Sequence, residues 1–133
     1  MSKILKVRAR HVFDSRGNPT VEAEVFVKNN SASSICPSGA STGTHEAFEK
    51  RDKNNKRYLG KSVLSAINLI NTKISKKIKG QSIHNQERID TLLINLDGTR
   101  QKTNLGANAN ARNAHTTYIG KNNVICVPDN CQK

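Results

Sequence analysis

The chain has 133 residues, enough for one domain, and only 35% of them are hydrophobic, with 4% aromatic and no Trp. No run approaches the ~20 apolar residues of a membrane span, and the opening MSKILKVRAR lacks the apolar core of a secretory signal, so a cytoplasmic protein is expected. The net charge of +12 admits a polyanionic partner, but 16 Asn, 14 Lys and 11 Ile share A/T-rich codons, and biased coding is the better account of the excess.

Ile4 to Phe13 is rich in Val, Ile and Leu and predicts a strand, stopped by the turn formers Asp14-Ser15-Arg16-Gly17-Asn18-Pro19. Val21, Ala23, Val25 and Val27 then alternate with Glu22, Glu24, Phe26 and Lys28, the period-two pattern of a half-buried strand. Asn29-Asn30 predicts a tight turn and Ser33 to Cys36 a short third strand, which together make an antiparallel meander. After a loop of small residues, Pro37 to Gly43, and a Glu- and Lys-rich stretch from His45 to Lys61, Val63, Ile67, Ile70, Ile74 and Ile78 recur at intervals of three or four. That spacing marks one face of an amphipathic helix, with Lys73, Lys76, Lys77 and Lys79 near its end and Gly80 at C′. A second helix is predicted from an Asn85 N-cap to Asp97-Gly98, burying Ile89, Leu92, Leu93 and Leu96. Past Ala109 neither period persists. Residues 110–133 read as an unrelated polar tail without structure.

Four features invite a chemical reading. In Ser38-Gly39-Ala40-Ser41-Thr42-Gly43, backbone amides can approach an anion and hydroxyls can reach a metal or phosphate. It is not a Walker loop, since no Lys follows the second glycine, and a plain connection fits the same residues. In the Asp14–Thr20 turn, Asp14 reads most simply as capping local amides. Cys126 and Cys131, with His115 upstream, form only a loose half of a zinc site, and reduced thiols are the simpler expectation. The lysines from 73 to 79 read as a solvated helix face.

Several segments, in order, resemble one family: DSRGNPT at 14–20 followed by Val21-Glu22, PSGASTG at 37–43, Glu46-Ala47, Arg51-Asp52, Leu59-Gly60-Lys61, Leu96-Asp97-Gly98-Thr99 and Gly106-Ala107-Asn108-Ala109. Over residues 1–109 the chain resembles the amino-terminal region of enolases. The resemblance implies an α+β fold, a three-stranded antiparallel meander followed by helices, which in the family packs against a (β/α) barrel. It also implies the family reaction, dehydration of 2-phosphoglycerate to phosphoenolpyruvate in glycolysis, with a lysine base, an assisting glutamate and two Mg2+ ions. By the same resemblance Ser38, Gly39, Ala40, Ser41, Thr42 and Gly43 form the substrate lid, Ser41 is a ligand to the second metal, and Arg10, Arg16 and Glu22 lie near the subunit contact of a dimer.

The chain also departs from the family pattern. Lys50 stands where a leucine is usual, Ser33-Ser34 make the third strand more polar, and the long apolar helix and barrel expected after Ala109 have no counterpart. The expectation is a truncated enolase, as a frameshift would leave, with no catalytic residue, poor Mg2+ binding alone, and a marginal, aggregation-prone fold. Two other readings are a non-catalytic fragment that docks on a full-length enolase and a basic nucleic-acid-binding protein. The last ranks lowest, because Phe13, Phe26, Phe48, Tyr58 and Tyr118 are too scattered to stack bases.

Overall fold

Three strands begin the fold: β1 (Lys6–Phe13), β2 (Pro19–Val27) and β3 (Asn30–Ile35), antiparallel and ordered β1-β2-β3. The computed structural model describes residues 2–35, 50–53, 56–100, 103–106 and 109. The register sets Val7 opposite Val25 and Ala9 opposite Ala23, so the small and branched residues share one buried face. Arg8 opposite Glu24 and Arg10 opposite Glu22 occupy the other. The meander and its alternation stand as the sequence predicts.

Two boundaries differ from expectation. Val27 pairs with Asn30, so the turn is Lys28-Asn29 and β3 starts three residues before Ser33. A two-residue connection suits the twist of paired strands, which is why the turn sits one residue earlier. Ladder pairing of β1 begins at Lys6, because Ile4 is engaged elsewhere: its amide donates to Gln81 O and its carbonyl accepts from Gly80 N, at 2.9 and 2.8 Å. Ile4 is thereby wholly buried against the helical half.

That half starts with α1 (Leu64–Leu69), continues through a π-helical stretch (Ile70–Ile74) and ends in α2 (Ser75–Ile78); αR dihedrals at the junctions make the three one helix. Ala66, Ile70, Ile74 and Ile78 are fully buried, whereas Ile67, predicted as core, is only partly so. The four-residue spacing explains this. In an α-helix at ~3.6 residues per turn such a stripe drifts about 40° per step, and a wider π turn reduces the drift. The helix closes as predicted, with Lys79 as C-cap and Gly80 at φ +83°. Gly80 can hold that angle without a Cβ clash.

The second predicted helix is α3 (Gln86–Asp97). Asn85 Oδ1 accepts from Arg88 N at 3.1 Å, the expected N-cap, and Gly98 ends the helix in the left-handed conformation. Ile89 and Leu93 are buried, and Leu92 and Leu96 are partly buried. One core unites the inner sheet face with the stripe of the long helix, Ile83, Ile89 and Leu93. Each large side chain enclosed there contributes roughly 1.5–3 kcal/mol relative to exposure.

Candidate functional site

The segment that the sequence nominates as a lid, Ser38 to Gly43 with Ser41 as metal ligand, lies outside the described residues, as do Cys36 and the cysteines of the tail. The described residues show instead how the chain following that segment is fixed. Arg51 donates through one guanidinium nitrogen to Pro19 O at 2.8 Å and to Lys61 O. Its neighbour Asp52 donates its amide to Ser62 O at 2.7 Å and turns its carboxylate onto the start of α1. One oxygen accepts from Leu64 N at 2.9 Å, the other from Ser65 N at 3.1 Å and from the Ser65 hydroxyl. Val63, the local N-cap residue, makes no side-chain cap, so an aspartate twelve residues upstream of Leu64 satisfies the free amides of the first turn. Sequence reasoning singled out Arg51-Asp52 only as part of a motif. The signal for its role was the absence of a Ser, Thr, Asp or Asn cap at Val63.

The β1–β2 turn behaves as its residues suggest. Asp14 Oδ1 accepts from the amides of Arg16 and Asn18, both at 2.9 Å, and Gly17 takes φ +74° to close the loop. Arg16 reaches the other oxygen at 4.0 Å. The Asn18 amide first, then the Arg16 amide and the Arg16 and Arg51 charges, hold the Asp14 carboxyl below its usual range against the opposing effect of burial. Pro19 and Thr20 beyond the turn are buried, so this connection carries β2 directly into the core.

Of the three residues assigned to a subunit contact, the structure brings together Arg10 and Glu22 as a cross-strand ion pair, while Arg16 stands apart in the turn. The hydrogen bond from Arg10 lowers the Glu22 carboxyl, helped by Ser33 and the charges of Arg10 and Arg8, and Glu22 raises the Arg10 guanidinium in return. Arg8 pairs with Glu24 at 2.8 Å and lies 5.6 Å from the centre of the Phe26 ring, with Lys6 at 6.0 Å. Among the described residues, this outer face is therefore an ordered array of paired charges.

Beside it, His11, Phe13 and Tyr58 form an aromatic group with ring centres 4.9–5.5 Å apart, a size favourable for edge contacts. The His11 Nε2 atom is buried without a hydrogen-bond partner. Tyr58 and Leu59 both take positive φ, 49° and 53°, and Leu59 is 85% exposed. Sequence periodicity gave no sign of this cluster.

Among the described residues, no three His, Cys, Asp or Glu side chains stand close enough to hold a metal ion. They do not by themselves fit a Mg2+ centre. Nor is any helix among them long and apolar enough to cross a membrane. The described fold, a three-stranded meander backed by a long helix and a shorter one, defines a compact α+β domain whose turn, sheet face and helix root are organised by named polar residues.

The family described as enolase, N-terminal domain, matches residues 4–114. The enolase of Pelagibacter ubique (strain HTCC1062) is 79% identical over 109 residues, covering 82% of this chain and 26% of that protein. The enolase of Methanosarcina mazei is 53% identical over 107 residues, covering 80% of this chain and 25% of its own length. The chain belongs to the enolase family through its N-terminal domain. It spans about a quarter of the length of these relatives.

Proposed function

We propose that this chain is the lid-bearing N-terminal part of an enolase, serving the dehydration of 2-phosphoglycerate to phosphoenolpyruvate in the cytoplasm. The observation that carries the reading is 79% identity to an enolase over 109 residues, beside a family match over residues 4–114 that spans every motif in order. The fold supports it, since the meander and both helices match the family's N-terminal domain.

In this reading Ser38 to Gly43 would close over substrate, and the Ser41 hydroxyl would be one hard oxygen ligand to the second Mg2+ ion, which when bound would stabilise the charge developing on the substrate. Arg51 and Asp52 fix the chain that follows the lid. Arg10, Arg16 and Glu22 face a second subunit. The lysine base, the glutamate and the metal-binding carboxylates would come from a barrel that has no counterpart among the described residues, so the 133-residue chain alone is inactive.

The test uses two proteins. The 133-residue chain, supplied with Mg2+ and 2-phosphoglycerate, should form no phosphoenolpyruvate, measured by ultraviolet absorbance. Its residues 4–109, replacing the matching segment of the Pelagibacter enolase, should give an active chimera, and Ser41→Ala in that chimera should lower kcat. Turnover by the short chain, or a folded but inactive chimera, would overturn the proposal.

A further inference from the structure

The charge of the chain is unevenly placed. Residues 53–86 carry Lys53, Lys56, Arg57, Lys61, Lys73, Lys76, Lys77 and Lys79 and not one Asp or Glu, which puts +8 of the net +12 on 34 residues. The other 99 residues hold 14 basic and all 10 acidic side chains. Biased coding explains added lysine, but not the complete loss of acids from this one stretch, because Glu and Asp codons are also largely A/T.

Folding sharpens the asymmetry. The long helix buries Ile70, Ile74 and Ile78 and leaves Lys73, Lys76, Lys77 and Lys79 exposed, and none of the four makes an ion pair among the described residues. Lys3, also exposed, joins the same end through its bridge to Ser82. Among the described acids, Glu22 and Glu24 pair with arginines, Asp52 caps the start of α1 and Asp90 accepts from Gln86 at 2.8 Å, while Glu87 stands exposed in the first turn of α3.

We infer that the Lys73–Lys79 end of the long helix is a sequence-independent binding surface for the phosphate backbone of a nucleic-acid duplex. A regular polyanion suits four unpaired ammonium groups within seven residues, since each can neutralise a phosphate and release its counterion. From Asn71 to Gly80 the apolar side chains are Ile74 and Ile78 alone, both wholly buried, so this stretch of helix offers no side chain to insert between lipid chains. No Phe, Tyr or Trp lies between 59 and 117, so single strands gain no stacking platform of that kind. The fold thereby favours, in backbone-only form, the partner that composition alone ranked last.

Fluorescence anisotropy of the full chain with a labelled 20-base-pair duplex tests the inference across a salt series. Four phosphate contacts give a slope near −3.6 in log K against log salt, on the order of a 100-fold loss between 50 and 200 mM. K73Q/K76Q/K77Q/K79Q should abolish most of that slope, while K28Q/R100Q/R112Q/K121Q, which removes equal charge elsewhere, should retain it. Acetylation of lysines in the unaltered chain supplies a readout that needs no variant: the duplex should protect Lys73, Lys76, Lys77 and Lys79 and leave Lys28 reactive. Equal loss in both variants, uniform acetylation, or binding to phosphatidylserine vesicles without binding to duplex would each overturn the inference.

Discussion

On the inner face of the sheet Val7, Ala9, Val21, Ala23 and Val25 are sealed from water by the long helix, whereas on the outer face Arg8, Arg10, Glu22 and Glu24 pair across β1 and β2 with solvent alongside. The same backbone carries both, and alternation by two assigns each side chain to its face. The comparison separates two kinds of contribution. Apolar burial is roughly additive in area and resists salt and pH, while exposed ion pairs set register and charge pattern and are screened. Substitutions on the two faces should therefore differ in size and in their response to solution conditions.

The largest loss is expected from the inner side. Ile74 is fully buried within the π-helical stretch facing the sheet, and Ile74→Ala should destabilise the domain by roughly 2–5 kcal/mol through lost transfer energy and an unfilled cavity. Urea denaturation should show a lower midpoint with little change in slope. A loss below about 1 kcal/mol would mean that the helix does not press on the sheet as described.

Asn71 probes the junction between the two halves. Its Oδ1 accepts from Ala9 N at 2.7 Å and its Nδ2 donates to Ala9 O at 3.2 Å, satisfying the free edge of β1. Asn71→Ala leaves both backbone groups without those partners and should cost about 1–3 kcal/mol. Hydrogen exchange at the Ala9 amide should accelerate more than at Ala23, which stays within the ladder. Equal acceleration at both would indicate global destabilisation instead.

Asp52→Ala should weaken the helix from its N-terminal end. Removing the carboxylate frees Leu64 N and Ser65 N, and the expected cost is about 0.5–2 kcal/mol, the range of a lost N-cap. Exchange should quicken in the first turn of α1 and hardly change near Ile78. Asp52→Asn, which keeps an acceptor oxygen, should recover part of the loss.

These expectations mark what the sequence discloses and what it leaves hidden. Repetition was readable: the alternation of Val21, Ala23 and Val25, the Ile spacing of the long helix, and the Asn85 and Gly98 ends of α3 are local signals, each acting within a few residues. Asn71 with Ala9, 62 residues apart, and Asp52 with Leu64 had no such signature, because one side chain meets one backbone group and nothing repeats. The aromatic group of His11, Phe13 and Tyr58 depends on two left-handed residues that no pattern announces. The candidate site divides the same way. Ordered motifs made its family legible, the pairing of Arg10 with Glu22 emerged only from the strand register of the fold, and the lid at Ser38–Gly43 lies outside the described residues.

The smallest effect belongs to the outer face, and pH makes it measurable. Because the hydrogen bond from Arg10 depresses the Glu22 carboxyl below 4.5, the folded state holds the carboxylate where the unfolded chain would already bind a proton. The stabilisation is therefore complete above the unfolded carboxyl's pKa and disappears as pH falls through the lower folded value. Glu22→Gln should cost less than about 1 kcal/mol at neutral pH, with the gap from the parent chain closing below about pH 4.5. Asp14, whose carboxyl is also depressed, titrates in both proteins and cancels in the difference. Raising salt should narrow the neutral-pH gap as well, since the pair sits beside solvent. A gap that persisted unchanged in acid would mean that Glu22 acts through packing rather than charge, and the contrast between the two faces would then fail at this position.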